Sequence, residues 1–130
     1  MRTPPRHYDR PLALQILLAH CVPVLFGAVC GIALGASKPA YTVLSVVAAI
    51  GGFLAGIEQE GVADAASRGV AGGLLFGAGL LIAHEIAGTA AKVKLPDPEI
   101  VLVVVTMLGG AALGAAGGAV RPRLVRRAAR

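Results

Sequence analysis

The chain has 130 residues, of which 56% are hydrophobic and only 15% are charged, and its mean hydropathy is +0.77. A soluble domain usually carries about 25% charged residues because it needs a polar surface. The composition therefore argues against a cytosolic enzyme, a nucleic-acid-binding domain and a disordered tail. The net charge of +5 does not indicate nucleic acid either, because eight of the nine arginines lie near the two ends of the chain. The sequence predicts an integral membrane protein whose solvent is the lipid bilayer.

Four apolar segments have lengths near the roughly 20 residues that cross a bilayer as a helix. They predict helices at 12–36, 40–57, 64–91 and 98–120, followed by a basic tail at 121–130. The first segment begins after Asp9, a candidate helix cap, with Pro11 in its first turn. It is longer than the apolar region of about 7–15 residues in a signal peptide, so we expect it to be retained.

The later helix boundaries carry their own signals. Ser37-Lys38-Pro39 separates the first two segments, and Asp97 with Pro98 predicts the start of the fourth helix. At the start of the third helix, Asp64 and Arg68 have the four-residue spacing of a weakly stabilising acid–base pair.

The distribution of Lys and Arg predicts the orientation. With four spans, both termini and the middle connection share one side, which holds nine Lys or Arg residues against three on the other. Such a bias places the richer side in the cytoplasm. We therefore expect a single-domain, all-α, antiparallel up-down four-helix transmembrane bundle in a bacterial-type plasma (inner) membrane, with both termini cytoplasmic.

Each predicted helix carries small residues four positions apart, which form a flat groove along one helix face. Such grooves let helix backbones approach closely in lipid, where no hydrophobic drive joins helices. The glycines predicted to pack helices are Gly27, Gly31, Gly35, Gly52, Gly56, Gly69, Gly73, Gly77, Gly110, Gly114 and Gly118. They predict a tightly packed bundle, and the alternative is that one groove faces outward and joins protomers.

Polar side chains within the apolar segments are few, and they are candidates for function because they are costly in lipid. They are His20, His84, Glu85 and Thr106. Glu85 is either a functional carboxylate in the outer third of the bilayer or an interfacial residue, and we favour the interface. We expect His84 to be buried and neutral, with a hydrogen bond to a backbone carbonyl or a Thr.

Neither a metal, a cofactor nor a disulfide is expected. His20 and His84 are predicted at depths about 10 Å apart at 1.5 Å per helical residue, which disfavours a shared metal site. Cys21 and Cys30 lie on opposite faces of one helix. The familiar phosphate-loop, nucleophile-elbow and zinc-protease motifs are missing from the sequence, so no catalytic residue is predicted.

The connection after the second segment is acidic, with Glu58, Glu60 and Asp64. The simplest interpretation is a solvated loop. The alternative is an acidic patch that faces a basic partner or the arginine-rich tail of the chain itself.

Two functional hypotheses follow. The first is a non-enzymatic accessory or scaffold subunit that assembles through its glycine faces into a homo-oligomer or a larger membrane complex. The second is a small ion or proton channel or transporter that uses His20, His84 and Glu85.

Overall fold

The computed structural model describes residues 3–130, and over that range it is all-helical apart from turns and connections. It contains four long helices: α1 (Leu12–Ala36), α2 (Lys38–Ile57), α3 (Val62–Ala87) and α4 (Val101–Ala128). All four are long and apolar enough to span a membrane, which confirms the prediction of four spanning helices. A short 3-10 turn, His7–Asp9, precedes them.

Helix α1 contains a wide turn near its start. The segment Leu17–Cys21 has π-helical geometry, directly before Val22 and Pro23. Proline has no N–H to continue the ladder, and single-turn π bulges are the form in which π geometry occurs inside α-helices, so Pro23 gives a local reason for the wide turn. Asp9 does not cap α1, because its carboxylate accepts a hydrogen bond from Arg6 N at 3.2 Å within the preceding turn.

The ends of α2 and α3 follow local signals. Ser37 Oγ accepts a hydrogen bond from Ala40 N at 3.4 Å and caps α2. Helix α3 begins at Val62 and ends at Ala87, four residues before the end that the apolar run predicts. Gly88 stops it with a φ of 63°, a left-handed conformation that favours glycine.

Helix α4 begins at Val101 and continues to Ala128, through most of the segment predicted as a tail. Pro98 therefore lies before the helix rather than in its first turn. Pro122 lies inside the helix, and the residues around it are mostly Arg, Ala and Leu, which favour helical structure.

Helix α3 packs against both α1 and α4 through glycine. A Cβ atom at Gly27 or Gly31 of α1 would overlap the carbonyl oxygen of Phe76 or Leu80 of α3. Residue numbers therefore increase in the same direction along α1 and α3. Between α3 and α4 the numbers run in opposite directions, with Gly69 against Gly110 and Gly73 against Thr106. Helix α2 packs mainly against α4 and is the least buried of the four.

The fully buried side chains are few. Cys30, Leu34 and Leu80 form a small core between α1 and α3. The connection 88–100 covers the end of the bundle at which α1 and α3 finish. There, Lys92 N donates to Leu34 O at 2.8 Å, and Val93 packs against the core. Many large apolar side chains face outward instead, which is the arrangement expected when lipid is the solvent.

Candidate functional site

Charged and polar side chains gather at one end of the bundle. There the N-terminal segment 3–10 lies against the α2–α3 connection and the C-terminal part of α4. We call this region the polar end, and it comprises His7, Arg10, Glu58, Gln59, Arg68 and Arg121.

The N-terminal segment is held by both backbone and side-chain contacts. His7 N donates to Glu58 O at 3.1 Å, and the Arg10 guanidinium forms an ion pair with the Glu58 carboxylate. Gln15 Nε2 donates to Arg10 O at 2.8 Å and ties the segment to α1. Farther out, Arg6 and Glu60 form an exposed ion pair at 2.8 Å. These contacts fasten segment 3–10 across the α2–α3 connection.

Arg121 of α4 reaches across the same end. Its guanidinium donates to Ile57 O, the last carbonyl of α2, and more weakly to Pro4 O at 3.2 Å and Pro5 O at 3.4 Å. The residue is only 8% exposed. A cation that donates to orphan carbonyls at a helix C-terminus also complements the helix dipole. Arg121 therefore joins three parts of the chain at one point.

His7 is buried within this cluster and is 6% exposed. Desolvation by burial lowers its pKa from the ordinary 6.5, and the positive charges of Arg68 and Arg10 lower it further. Glu58 opposes these effects, but its carboxylate lies 3.9 Å from His7 Nδ1, beyond hydrogen-bond distance. His7 is therefore neutral at pH 7.

A cavity of about 360 Å³ opens beside His7. Its lining residues are His7, Tyr8, Ala19, Gln59, Asp64, Ser67 and Arg68. Three buried nitrogen atoms of these residues have no hydrogen-bond partner within residues 3–130, namely His7 Nδ1, Gln59 Nε2 and Arg68 Nε. Buried polar atoms in folded proteins are nearly always satisfied, so this cavity is a candidate binding site.

The acidic connection is not a freely solvated loop. Glu58 and Glu60 pair with Arg10 and Arg6 of the N-terminal segment, not with arginines of the C-terminal part. Within the described residues, Asp64 and Arg68 do not form the ion pair that their spacing predicts. The charge complementarity between segment 3–10 and the connection was visible in the sequence, but the arginines there were interpreted only as topology signals.

The predicted intramembrane polar residues have different surroundings. His20 is exposed on α1, and its Nδ1 lies 3.3 Å from Ile16 O. His84 is only 7% exposed and packs near Gly31. No partner for His84 Nδ1 is found in the described part of the chain. Thr106 Oγ1 donates to Val103 O at 2.9 Å within α4.

Glu85 is exposed in the last turn of α3, at the end opposite the polar end. It lines a shallow, mostly apolar cavity of about 320 Å³, together with Glu99 from the connection. This cavity does not include the two histidines or Thr106.

The predicted packing glycines lie mostly against backbone of the same chain. Gly56 lies against the Gly114 backbone, whereas Gly118 lies nearest the Ala65 side chain and Gly77 nearest the Thr106 hydroxyl. Gly35 faces the Thr89 side chain, whereas Gly52 makes only an ordinary contact with the Leu113 side chain. The open glycines, with nothing within 4 Å of an added Cβ, include Gly51, Gly72 and Gly109.

Other chemistry is sparse in the described residues. Cys21 is exposed, Cys30 is buried, and both are free thiols. Residues 3–130 contain no group of three or more His, Cys, Asp or Glu side chains that could hold a metal ion.

Comparisons with protein family models, curated proteins and solved structures give no match. The interpretation of the polar end therefore depends on its own geometry. His7, Gln59 and Arg121 are site residues that no sequence pattern indicates. They come to this end of the bundle because a short N-terminal segment folds back over it, which is a long-range contact.

Proposed function

We propose that this chain is a non-enzymatic accessory or scaffold subunit of a bacterial-type plasma membrane. It crosses the bilayer four times in an up-down arrangement with both termini cytoplasmic. The nine-to-three distribution of Lys and Arg supports this orientation. The polar end then lies on the cytoplasmic side.

The observation that carries the proposal is the use of glycine inside the bundle. Gly27, Gly31, Gly69, Gly73 and Gly114 all bring one backbone against another within the chain. Such contacts are short, specific and hard to rearrange, and they give a rigid body in lipid. A rigid bundle without a shared polar path suits a structural role.

Assembly then needs a surface outside those grooves, and α2 offers it. Its exposed apolar side chains recur every three or four residues, at Val43, Val47, Ile50 and Leu54. Gly51 lies at one edge of this face, with open space where a Cβ would be. We propose that this face, the α2 face, pairs with the α2 face of a second copy. A two-fold dimer brings one patch against itself, and a small residue permits close approach.

Disulfide crosslinking in native membranes tests this pairing. Cys21 is first replaced by Ser, and Val47→Cys is compared with Leu74→Cys, which lies at the middle of α3 and is also exposed. We expect a crosslinked dimer for Val47→Cys and little for Leu74→Cys. Equal crosslinking at the two positions, or a monomer at both, contradicts the α2 face as the interface.

The channel or transporter hypothesis has less support. Its three residues are an exposed His20, a buried His84 and an exposed Glu85, and the cavity at Glu85 reaches neither histidine. A proton or ion path requires polar groups that succeed one another through the bilayer. A flux assay with purified protein in vesicles separates the two functions, and we expect no flux above empty vesicles.

A further inference from the structure

The cavity at the polar end combines three properties that a binding site needs. It has room, at about 360 Å³, which lies in the range of small-molecule sites. It is lined by two deeply buried polar side chains, His7 at 6% and Gln59 at 3% exposure. Each of these has a nitrogen without a hydrogen-bond partner in the described chain, and so does Arg68.

The unsatisfied atoms define the chemistry of the ligand. Gln59 Nε2 and Arg68 Nε are donors only, and neutral His7 can carry its proton on Nδ1 and donate as well. Ser67 adds a hydroxyl to the lining. These nitrogens have almost no accessible surface, so a ligand whose acceptor oxygens satisfy them has to displace the side-chain atoms that cover them.

The charges point to an anion. The Glu58 carboxylate is already paired with Arg10, and Arg68 has no carboxylate within 4.0 Å among residues 3–130. The charge of Glu58 also acts on Arg68, but Glu58 is shared with Arg10. A bound anion therefore adds to the stabilisation of the partly buried Arg68 guanidinium. Asp64 is exposed and also lines the cavity, so its charge favours a singly charged ligand over a dianion.

We propose that this cavity binds a phosphate group, with Arg68 and Gln59 as its main donors. Guanidinium and phosphate form strong, charge-assisted hydrogen bonds. Ala19 of the membrane-spanning α1 forms part of the wall, so a phospholipid headgroup can enter from the bilayer. A free phosphate or phosphoester can enter from the aqueous side, and both sources present the same oxygens.

The experiment uses the full chain with Cys21→Ser in nonionic detergent. A thiol-reactive dye then reports unfolding, because the buried Cys30 becomes reactive only when the protein unfolds. One arm titrates inorganic phosphate. The other arm compares vesicles of phosphatidylcholine with vesicles that also contain phosphatidylglycerol, using bound lipid retained after purification as the readout. An effect of phosphate alone identifies a soluble anion, and selective retention of phosphatidylglycerol identifies a headgroup.

Arg68→Gln is the main variant, with Arg123→Gln on the exposed part of α4 as the matched control for charge. We expect Arg68→Gln to weaken binding about tenfold or more, the equivalent of one lost charge-assisted hydrogen bond. Without ligand its unfolding midpoint should change little, because Glu58 keeps its ion pair with Arg10 when the Arg68 charge is removed. The control should bind like the parent.

Ser67→Asp provides a second variant, at an exposed position that tolerates substitution. It places a carboxylate beside Arg68, and we expect it to block binding while the protein stays folded. The proposal is overturned if the parent shows neither a phosphate-dependent shift nor selective lipid retention. It is also overturned if Arg68→Gln binds as well as the parent.

Discussion

The guanidinium of Arg121 near the end of α4 donates to the carbonyl oxygen of Ile57 at the end of α2. This contact caps one helix with a side chain from another, 64 positions away in sequence. Because Arg121 also reaches Pro4 and Pro5, it links the N-terminal segment to the bundle. The polar end is therefore a structural joint as well as a candidate binding site.

The first prediction concerns this joint. Arg121→Met keeps much of the side chain's length but removes its donors and leaves the Ile57 carbonyl without them. We expect the free energy of unfolding to fall by about 2–3 kcal/mol. Thermal unfolding in detergent measures the change. It is followed in a Cys21→Ser background with the thiol-reactive dye that reports exposure of Cys30. Arg123→Met is the control, and a similar loss in both variants would show that the contacts of Arg121 are unimportant.

The second prediction separates packed glycines from open ones. A Cβ at Gly73 would overlap Thr106 O, whereas nothing lies within 4 Å of one at Gly109. We expect Gly73→Ala to destabilise the protein by about 1–3 kcal/mol, the usual cost of overpacking. Gly109→Ala should be neutral or stabilising by up to about 1 kcal/mol, because alanine favours helix. Equal effects would contradict the close packing of α3 and α4.

Larger substitutions extend the same comparison. Leu at Gly31, Gly73 or Gly114 would collide with backbone, and at Gly52 it would meet only the Leu113 side chain. We expect the first three variants to fail to fold and the Gly52 variant to be the mildest. The yield of folded protein after detergent extraction gives the order.

The third prediction is a pH dependence that originates at His7. Its pKa is lowered in the folded protein, so the unfolded chain binds the proton more readily. Stability from this residue is therefore complete above about pH 6.5 and decreases as the pH falls below 6.5 toward the folded-state pKa. The groups that act on His7 are Arg10, Glu58 and Arg68.

Protease cleavage after Arg6, where the next residue is His7 and not proline, measures the release of segment 3–10 as the pH is lowered. We expect faster cleavage at pH 5 than at pH 7 after correction for the intrinsic activity of the protease. His7→Gln should reduce the pH dependence because it cannot take a proton in this range. A variant with the unchanged profile would place the effect on another group.

The fourth prediction concerns Glu85. The side chain is exposed in the final turn of α3, and solvated carboxylates contribute little to stability. We expect Glu85→Gln to change the free energy of unfolding by no more than about 0.5 kcal/mol. Thermal unfolding of the two proteins in detergent measures the change. A loss of stability well beyond this value would contradict a solvated carboxylate at this position.

The fifth prediction tests the orientation in the membrane. Lys38 begins α2 and Asp64 lies in the first turn of α3, so four spans place them on opposite sides. A cysteine introduced at each of these positions, in a Cys21→Ser background that keeps only the buried Cys30, should react with an impermeant thiol reagent from opposite sides of sealed vesicles. Labelling of both from one side excludes the four-span arrangement.

The spanning helices were predictable because lipid solvation depends on local composition. A long apolar run must form a helix to satisfy its backbone in a bilayer, so 12–36 was located from sequence with the bounds that the structure shows. The ends of α3 and α4 were harder. Gly88 stopped α3 before its apolar run ended, and α4 continued into a charged segment where hydropathy carries no signal.

The sequence by itself determined the apolar character of this protein, the number of helices able to span a membrane and the glycine-rich character of the helices. Each of these depends on residues close together in the chain. Only the tertiary structure decided which glycines meet which backbone, that His7, Gln59 and Arg68 line one cavity, and that Arg121 reaches Ile57 and the N-terminal segment. Each of the two arginines alone looks like an ordinary topology signal. Their contacts arise from helix packing and from a folded-back N-terminal segment, which are long-range consequences that no local pattern encodes.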